Sequence, residues 1–270
     1  MSSMVVITAA GGNGTVIEII DDPLTRTEYS SRGRLLGERM EKLGAEQAGF
    51  LVLSQGHFEM AGGEFCGNAS RAAAVLFSEL RNARDVNFTV SGFKGAVCAT
   101  VDKQMDSKYS VCCRFSGMSV DIRPTKSCGQ TVDVVDLGGI VHVVVEDKFP
   151  AQQDTYQDMH HRLTEELNLR ERDAVGVVWV ERKGDSVEIH PVVWVRSVDT
   201  FFYESSCGSG TIAACAVTGV SDIVQPTGKS SGLKLMTTWF LLRAIWKLFI
   251  LIEILRLSNL FPRSSIETVS

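Results

Sequence analysis

Two short stretches carry the residue types that can do chemistry. Phe65-Cys66-Gly67-Asn68-Ala69-Ser70-Arg71 leads into Ala72-Ala73-Ala74-Val75-Leu76. Ser206-Cys207-Gly208-Ser209-Gly210-Thr211 leads into Ile212-Ala213-Ala214-Cys215-Ala216-Val217. Each sets a cysteine before glycine and small polar residues, then an Ala-rich helical run. A thiol acts as a base only as thiolate, and its free pKa of about 8.5 must fall for that. A helix N-terminus favours the thiolate through its unpaired N–H groups and the positive end of its dipole. Gly67-Asn68-Ala69 and Gly208-Ser209-Gly210 allow a ligand to approach such a terminus closely, and the same N–H groups bind a carboxylate. Two such units facing each other would hold a substrate carboxylate between them. One thiolate would remove the α-hydrogen from one face and the opposite thiol would return a proton to the other. Oriented amides would stabilise the enolate-like carbanion in between. One Cys-Gly-Asn alone is more often a structural helix start; the second near-copy turns the reading toward a catalytic pair. Neither a metal nor pyridoxal is required, and no phosphate-binding glycine loop suggests a cofactor.

The rest of the chain must position these thiols. Its 270 residues allow two domains, and 44% hydrophobic with 22% charged residues is ordinary globular usage. A net charge of −5 without a basic stripe argues against nucleic acid as a partner. The cysteines at 66, 98, 112, 113, 128, 207 and 215 form no CxxC pair and no zinc-type cluster with the scattered histidines 57, 142, 160, 161 and 190. The N-terminus has no basic region before its apolar residues and no cleavage site. Together these features predict a reduced, cytoplasmic protein.

Apolar patterning predicts strands at Val5–Thr8, Val16–Ile20, Phe50–Leu53 and His57–Met60. Ala9–Gly14 reads as a Gly-rich turn, and a helix capped by Ser30 or Ser31 carries Leu35, Leu36 and Met40 up to Gly44. Further strands are predicted at Val86–Val90, Ala96–Val101 and Tyr109–Phe115, with Ser116–Gln130 crossing between the halves. The second half repeats the theme, with strands at Thr131–Leu137, Val141–Val145, Val175–Val180 and Val187–Val195 and a helix over Thr155–Leu169. Strands come in runs before each Cys-led helix, so an α+β fold of two pseudo-symmetric halves fits better than a doubly wound parallel sheet. The division is residues 1–120 with Cys66, 121–231 with Cys207, and an atypical apolar tail, 232–270.

The two motifs resemble those of the diaminopimelate epimerase-like family of cofactor-independent amino-acid racemases and epimerases. Gly12-Asn13-Gly14-Thr15-Val16 with Asp21 is similar to that family's N-terminal Gly-Asn segment, Glu46-Gln47 to its glutamine region, and Gln225-Pro226-Thr227-Gly228 to a late segment. The resemblance runs from about residue 4 to 229. It implies two domains, each a strand barrel around a central helix, with the site between them. Cys66 and Cys207 would be the catalytic acid/base pair. Asn13, Gln47, Gly67, Asn68, Gly208 and Ser209 would bind the substrate. Members of this type often dimerise, which leaves a homodimer open.

The departures matter. Diaminopimelate epimerases carry Gly-Asn-Pro-His where this chain has Gly138-Gly139-Ile140-Val141-His142, and a Glu-Arg-Gly run where it has Val195 to Glu204. Those groups hold the distal end of diaminopimelate. Phe201, Phe202 and Tyr203 would suit a flat, aromatic side chain better. The combination is similar to the histidine racemase branch that supplies D-histidine for metallophore biosynthesis. Diaminopimelate epimerase is the runner-up, and a non-catalytic or inactive relative is the reading from another class.

The tail favours that last reading. After Ser230 or Ser231 the sequence switches to a run rich in Leu, Ile, Trp and Phe, interrupted by Arg243, Lys247 and Glu253. A frameshifted end that leaves the barrels without their closing strands is the preferred explanation, ahead of a membrane helix or a surface-lying one.

Overall fold

The computed structural model describes residues 3–9, 12–104, 107–237 and 244–255. The first half contains β1 (Ser3–Ala9), β2 (Gly14–Ile20), α1 (Arg26–Met40), β3 (Ala45–Val52), β4 (His57–Met60), α2 (Gly67–Arg81), β5 (Asp85–Val90), β6 (Phe93–Lys103) and β7 (Lys108–Phe115). The second contains β8 (Asp121–Ser127), β9 (Gln130–Asp136), β10 (Val141–Val145), α3 (Gln153–Glu166), β11 (Ala174–Lys183), β12 (Ser186–Val195), β13 (Thr200–Tyr203), α4 (Gly208–Thr218), β14 (Asp222–Val224) and β15 (Ser230–Thr237). A last strand, β16 (Ala244–Leu255), completes the order.

Connectivity makes the two halves copies of each other. Parallel strands need a crossover, and each half has two. β2–α1–β3 corresponds to β10–α3–β11, and β4–α2–β5 corresponds to β12–α4–β14. In each half the first crossover helix is mostly exposed and the second is swallowed by strands. The first eleven residues of α2 and the first eight of α4 are buried. A helix that is apolar or small all round has no solvent face to offer, so it becomes the axis of a barrel. β5 shows the matching strand pattern, with Val86, Phe88 and Val90 buried and the residues between them exposed. β10, Val-His-Val-Val-Val, is buried on both faces. Val144 packs into the main core, and Val141, Val143 and Val145 into a smaller one with Leu163 of α3.

Three expectations need correction. The first helix is not capped at Ser30 or Ser31. Thr25 is the N-cap, and its hydroxyl and Glu28 form a reciprocal capping box that places both serines inside the helix. Ser116–Gln130 is not a bare crossing. It holds β8, an edge strand of mostly exposed residues with Pro124, paired to β9, and such a strand lacks the apolar alternation that marks a buried one. The tail does not leave the first barrel without a closing strand. The backbone of β15 pairs with β14, and that of β16 pairs with β15, β7 and β1, so β1–β7 and β16 form a closed ring around α2. The other tail residues, 238–243 and 256–270, lie outside the described residues, as do 10 and 11 of the expected Gly-rich turn. Among the described residues no helix is long and apolar enough to cross a membrane.

Candidate active site

Both cysteines are helix N-caps. Cys66 has φ −130° and ψ 115°, Cys207 has φ −131° and ψ 114°, and each sulfur accepts the N–H three residues on, from Ala69 at 3.4 Å and Gly210 at 3.2 Å. The hydroxyls of Ser70 and Thr211 back-bond to the two cysteine carbonyls at 2.7 and 2.6 Å. The two helix ends abut. A Cβ built on Gly208 would lie 3.0 Å from Gly67 Cα and 3.0 Å from Asn68 N, and one on Gly67 would lie 3.3 Å from Gly208 Cα. Glycine at both positions is therefore what lets two positive helix ends share one site.

Hydrogen bonds across the halves hold this register. Asn68 Nδ2 donates to Ser206 O at 2.8 Å, and Ser205 Oγ donates to Glu46 Oε1 at 2.6 Å. Glu46 Oε2 accepts from Asn13 Nδ2 at 3.0 Å. Gln47 Nε2 donates to Asn13 Oδ1 and Thr15 Oγ1, both at 2.8 Å, while Gln47 Oε1 accepts the Cys66 thiol at 3.3 Å. On the other side Gln225 Oε1 accepts Cys207 N at 2.9 Å and its Nε2 donates to Thr211 at 2.9 Å.

Between the halves lies a cavity of about 310 Å³, within the range of roughly 300–1,000 Å³ usual for small-molecule sites. Cys66, Gln47 and Ser209 line it directly. Asn13, Asn68, Gly67, Gly208 and Cys207 form the layer beneath, with Cys207 only 2% exposed and its sulfur 3.5 Å from Ser209 Oγ. So the structure gathers every expected site residue into one place, three on the wall and five behind it.

Of the three aromatic residues expected at the site, Phe202 reaches the cavity and Phe201 and Tyr203 do not. Strand alternation sends Thr200 and Phe202, with Glu204 just beyond β13, to the cavity. Phe201 packs edge-on to His160 at 4.9 Å, and Tyr203 stacks with Phe149 at 5.0 Å, both away from the cleft.

The cavity is acidic. Glu38, Glu41, Glu46, Glu64, Asp199 and Glu204 line it, against Arg34. Three of these carboxyls escaped the sequence reading as a group. Burial pushes Glu64 up to about 7 and Glu204 up to about 8, and burial also raises Glu46 against its bonds to Ser205 and Asn13. Burial pushes the Cys66 thiol up to about 12, and the Glu204 carboxylate adds to that; Cys207 is raised by the same two causes. Glu204 is also within hydrogen-bonding reach of the Cys207 thiol. Its signal in the sequence was its place on the same strand face as Phe202.

Glu64 has a measurable consequence. In the fold its carboxyl keeps its proton up to about pH 7, whereas its ordinary value is 4.5. The native state binds more protons between those values, so stability falls as pH rises through that window. Glu64→Gln is expected to flatten this slope, read by denaturant unfolding at the two ends of the window; an unchanged slope would refute the assignment.

Fold and sequence relatives together place the chain among isomerases of the racemase and epimerase class. The same fold occurs in a predicted epimerase from Pseudomonas aeruginosa, with a TM-score of 0.60 and 11% identity over 94% of this chain and 97% of the other. It occurs also in a hydroxyproline epimerase from Agrobacterium vitis, with a TM-score of 0.56 and 15% identity over 97% of this chain and 92% of the other. In sequence the chain is similar to a histidine racemase of Fusobacterium nucleatum subsp. nucleatum, 30% identical over 198 residues, 68% of this chain and 71% of that protein. A family model described as the histidine racemase CntK N-terminal domain matches residues 11–229, and the chain belongs to that family. The match ends where the sequence changes character ahead of the tail.

Proposed function

We propose that the protein interconverts L- and D-histidine by a two-base mechanism with Cys66 and Cys207. The observation that carries this reading is the abutment of two cysteine-capped helix ends at Gly67 and Gly208. The substrate carboxylate takes the N–H groups of the two termini, including those of Gly67, Asn68, Gly208 and Ser209. One thiolate removes the α-proton, the opposite thiol protonates the other face, and the negative charge passes from one sulfur to the other. Inversion follows because the two helix ends approach the α-carbon from opposite sides. Gln47 orients Cys66 and is itself oriented by Asn13.

Histidine is favoured by the acidic wall. A carboxyl with a pKa near neutrality, such as Glu64 or Glu204, can donate to a neutral imidazole or accept from an imidazolium. Phe202 offers a flat apolar face at the same wall. The distal carboxylate of diaminopimelate would meet the same acidic groups, which disfavours that substrate. The resemblance to the D-histidine-supplying branch supports a role for the product in metallophore biosynthesis, and seven cysteines without a CxxC pair or regular spacing support a cytoplasmic location.

The test is incubation with L-histidine in deuterated water. Deuterium is expected at Cα together with appearance of the D-isomer, and LL-diaminopimelate is expected to remain unexchanged. No exchange with any common amino acid would show a non-catalytic relative instead.

A further inference from the structure

The cleft raises an electrostatic question. Burial and the Glu204 carboxylate disfavour a thiolate at both cysteines, and Glu64 adds to this at Cys66. The helix-terminal amides that oppose this reach the sulfurs at 3.4 and 3.2 Å, which is long for a strong contact to oxygen but ordinary for sulfur. Two-base chemistry nonetheless needs one thiolate in the pair before and after each turnover, with the charge on the substrate carbanion in between. A positive charge near both sulfurs offsets the cost of that thiolate.

Arg71 is that charge. It lies in the second turn of α2, is 0% exposed, and is the sole buried arginine or lysine among the residues whose burial is described, up to Ser231. Its Nη2 donates to Asn68 Oδ1, while Nε and Nη1 have no hydrogen-bond partner. A buried charge normally has an ion or a full set of hydrogen bonds as partner, and an arginine does not lose its proton at neutral pH. The groups whose charge acts favourably on Arg71 are thiols: Cys113, Cys66 and Cys207. Cys113 is sealed in β7 at 0% exposure, and the reaction has no use for its proton. Cys66 lines the cavity from the first half and Cys207 lies just beneath Ser209 of its wall in the second. Asn68 completes the link, since its Oδ1 holds Arg71 and its Nδ2 holds Ser206 O, the residue before Cys207.

We propose that Arg71 is a positioning residue, the fixed counter-charge that balances the single negative charge as it passes between Cys66 and Cys207. One cation held by Asn68, the residue that links the two helix ends, serves either sulfur, so neither enantiomer's thiolate is favoured by a partner of its own. The carboxyls that oppose it from the surrounding elements are Glu46 of β3, Glu64 ahead of α2 and Glu204 beyond β13. This proposal rests on the two-thiol reading, but its test uses no substrate, so the two fail separately.

The experiment is a thiolate titration by ultraviolet absorbance, taken as the difference between the wild-type protein and the Cys66→Ser/Cys207→Ser double variant. That difference removes Cys113 and the other cysteines. Wild-type protein is expected to release one proton of the pair at a midpoint clearly below that of the second, because one cation balances one negative charge and not two. Arg71→Met is expected to raise that midpoint by at least about one pH unit and to slow iodoacetamide labelling of Cys66 at neutral pH about tenfold. Arg71→Lys, which keeps the charge, is expected to restore most of both. Two thiols that ionise together in the wild-type protein would overturn the proposal even if Arg71→Met fails to fold. So would an Arg71→Met protein that folds and titrates like wild type.

Discussion

Cys66→Ser and Cys207→Ser are each expected to lower kcat/KM for histidine racemisation by about 10³-fold or more. A positioned acid or base contributes about 10²–10⁴, and here each direction needs one sulfur as base and the other as acid. A serine hydroxyl keeps the N-cap hydrogen bonds to Ala69 or Gly210, so the helix ends stay in place while the proton-transfer group is lost. The loss must be equal in the two directions, because the enantiomers have equal free energy in water. Isotope exchange separates the roles. A variant with one thiol left can still remove and return a proton on one face, so each single variant is expected to put deuterium into one enantiomer without inverting it. The two variants should choose opposite enantiomers, which assigns each cysteine its face. Full activity in both single variants would dismiss the two-thiol mechanism.

The second large effect is expected at Gly139. This residue of the second half lies on Gly92 of the first, and a Cβ there would sit 2.3 Å from both Gly92 Cα and Gly92 O. Both atoms are backbone and cannot swing aside. Gly92 itself has φ +69° and is pinned against Phe65 N, the residue before Cys66. Phe65 N donates to Gly139 O at 3.3 Å across the same contact. Gly139→Ala must therefore move one half relative to the other. Overpacking of this kind costs about 1–3 kcal/mol, which for a chain of this size lowers Tm by several degrees. The effect on catalysis is expected to be larger, about 10²-fold in kcat/KM, because a misplacement of about 1 Å between reacting groups costs that much. Measuring Tm and kcat/KM on one preparation checks both. A variant with wild-type values for each would mean that the halves are not held in register at this contact.

The two predictions meet at one physical point. The distance between the thiols belongs to neither half. It is set by glycines on both sides, by Gly67 against Gly208 and by Gly92 against Gly139, and by the bonds of Asn68 and Glu46 to Ser206 and Ser205. The acidic wall of the cavity is likewise shared. Glu46 and Glu64 come from the first half, Asp199 and Glu204 from the second.

By itself the sequence determined what is local. An N-cap is a contact between a side chain and an N–H three residues on, so Cys66 and Cys207 could be read as helix-end thiols from the small residues that follow them. Burial patterns of period two and the Ala-rich helices are local as well, and most strands and both central helices were legible from them. Elements without such a pattern were not. β8 is an exposed edge strand with a proline, and the start of α1 turned on a capping box at Thr25 and Glu28 rather than on a nearby serine.

Tertiary structure alone decided the rest, because it depends on residues far apart in the chain. Phe202 and Glu204 reach the cleft while Phe201 and Tyr203 do not, since β13 alternates and only one of its faces meets the first half. Arg71 stood in plain view inside the first motif, but only packing shows that its guanidinium is buried without an anion of its own. The backbone of β16 returns to close the first ring between β7 and β1, a pairing that no local pattern in the tail announces. Two thiols could be found by their neighbours in sequence; that they share one site is a property of two halves pressed together at four glycines.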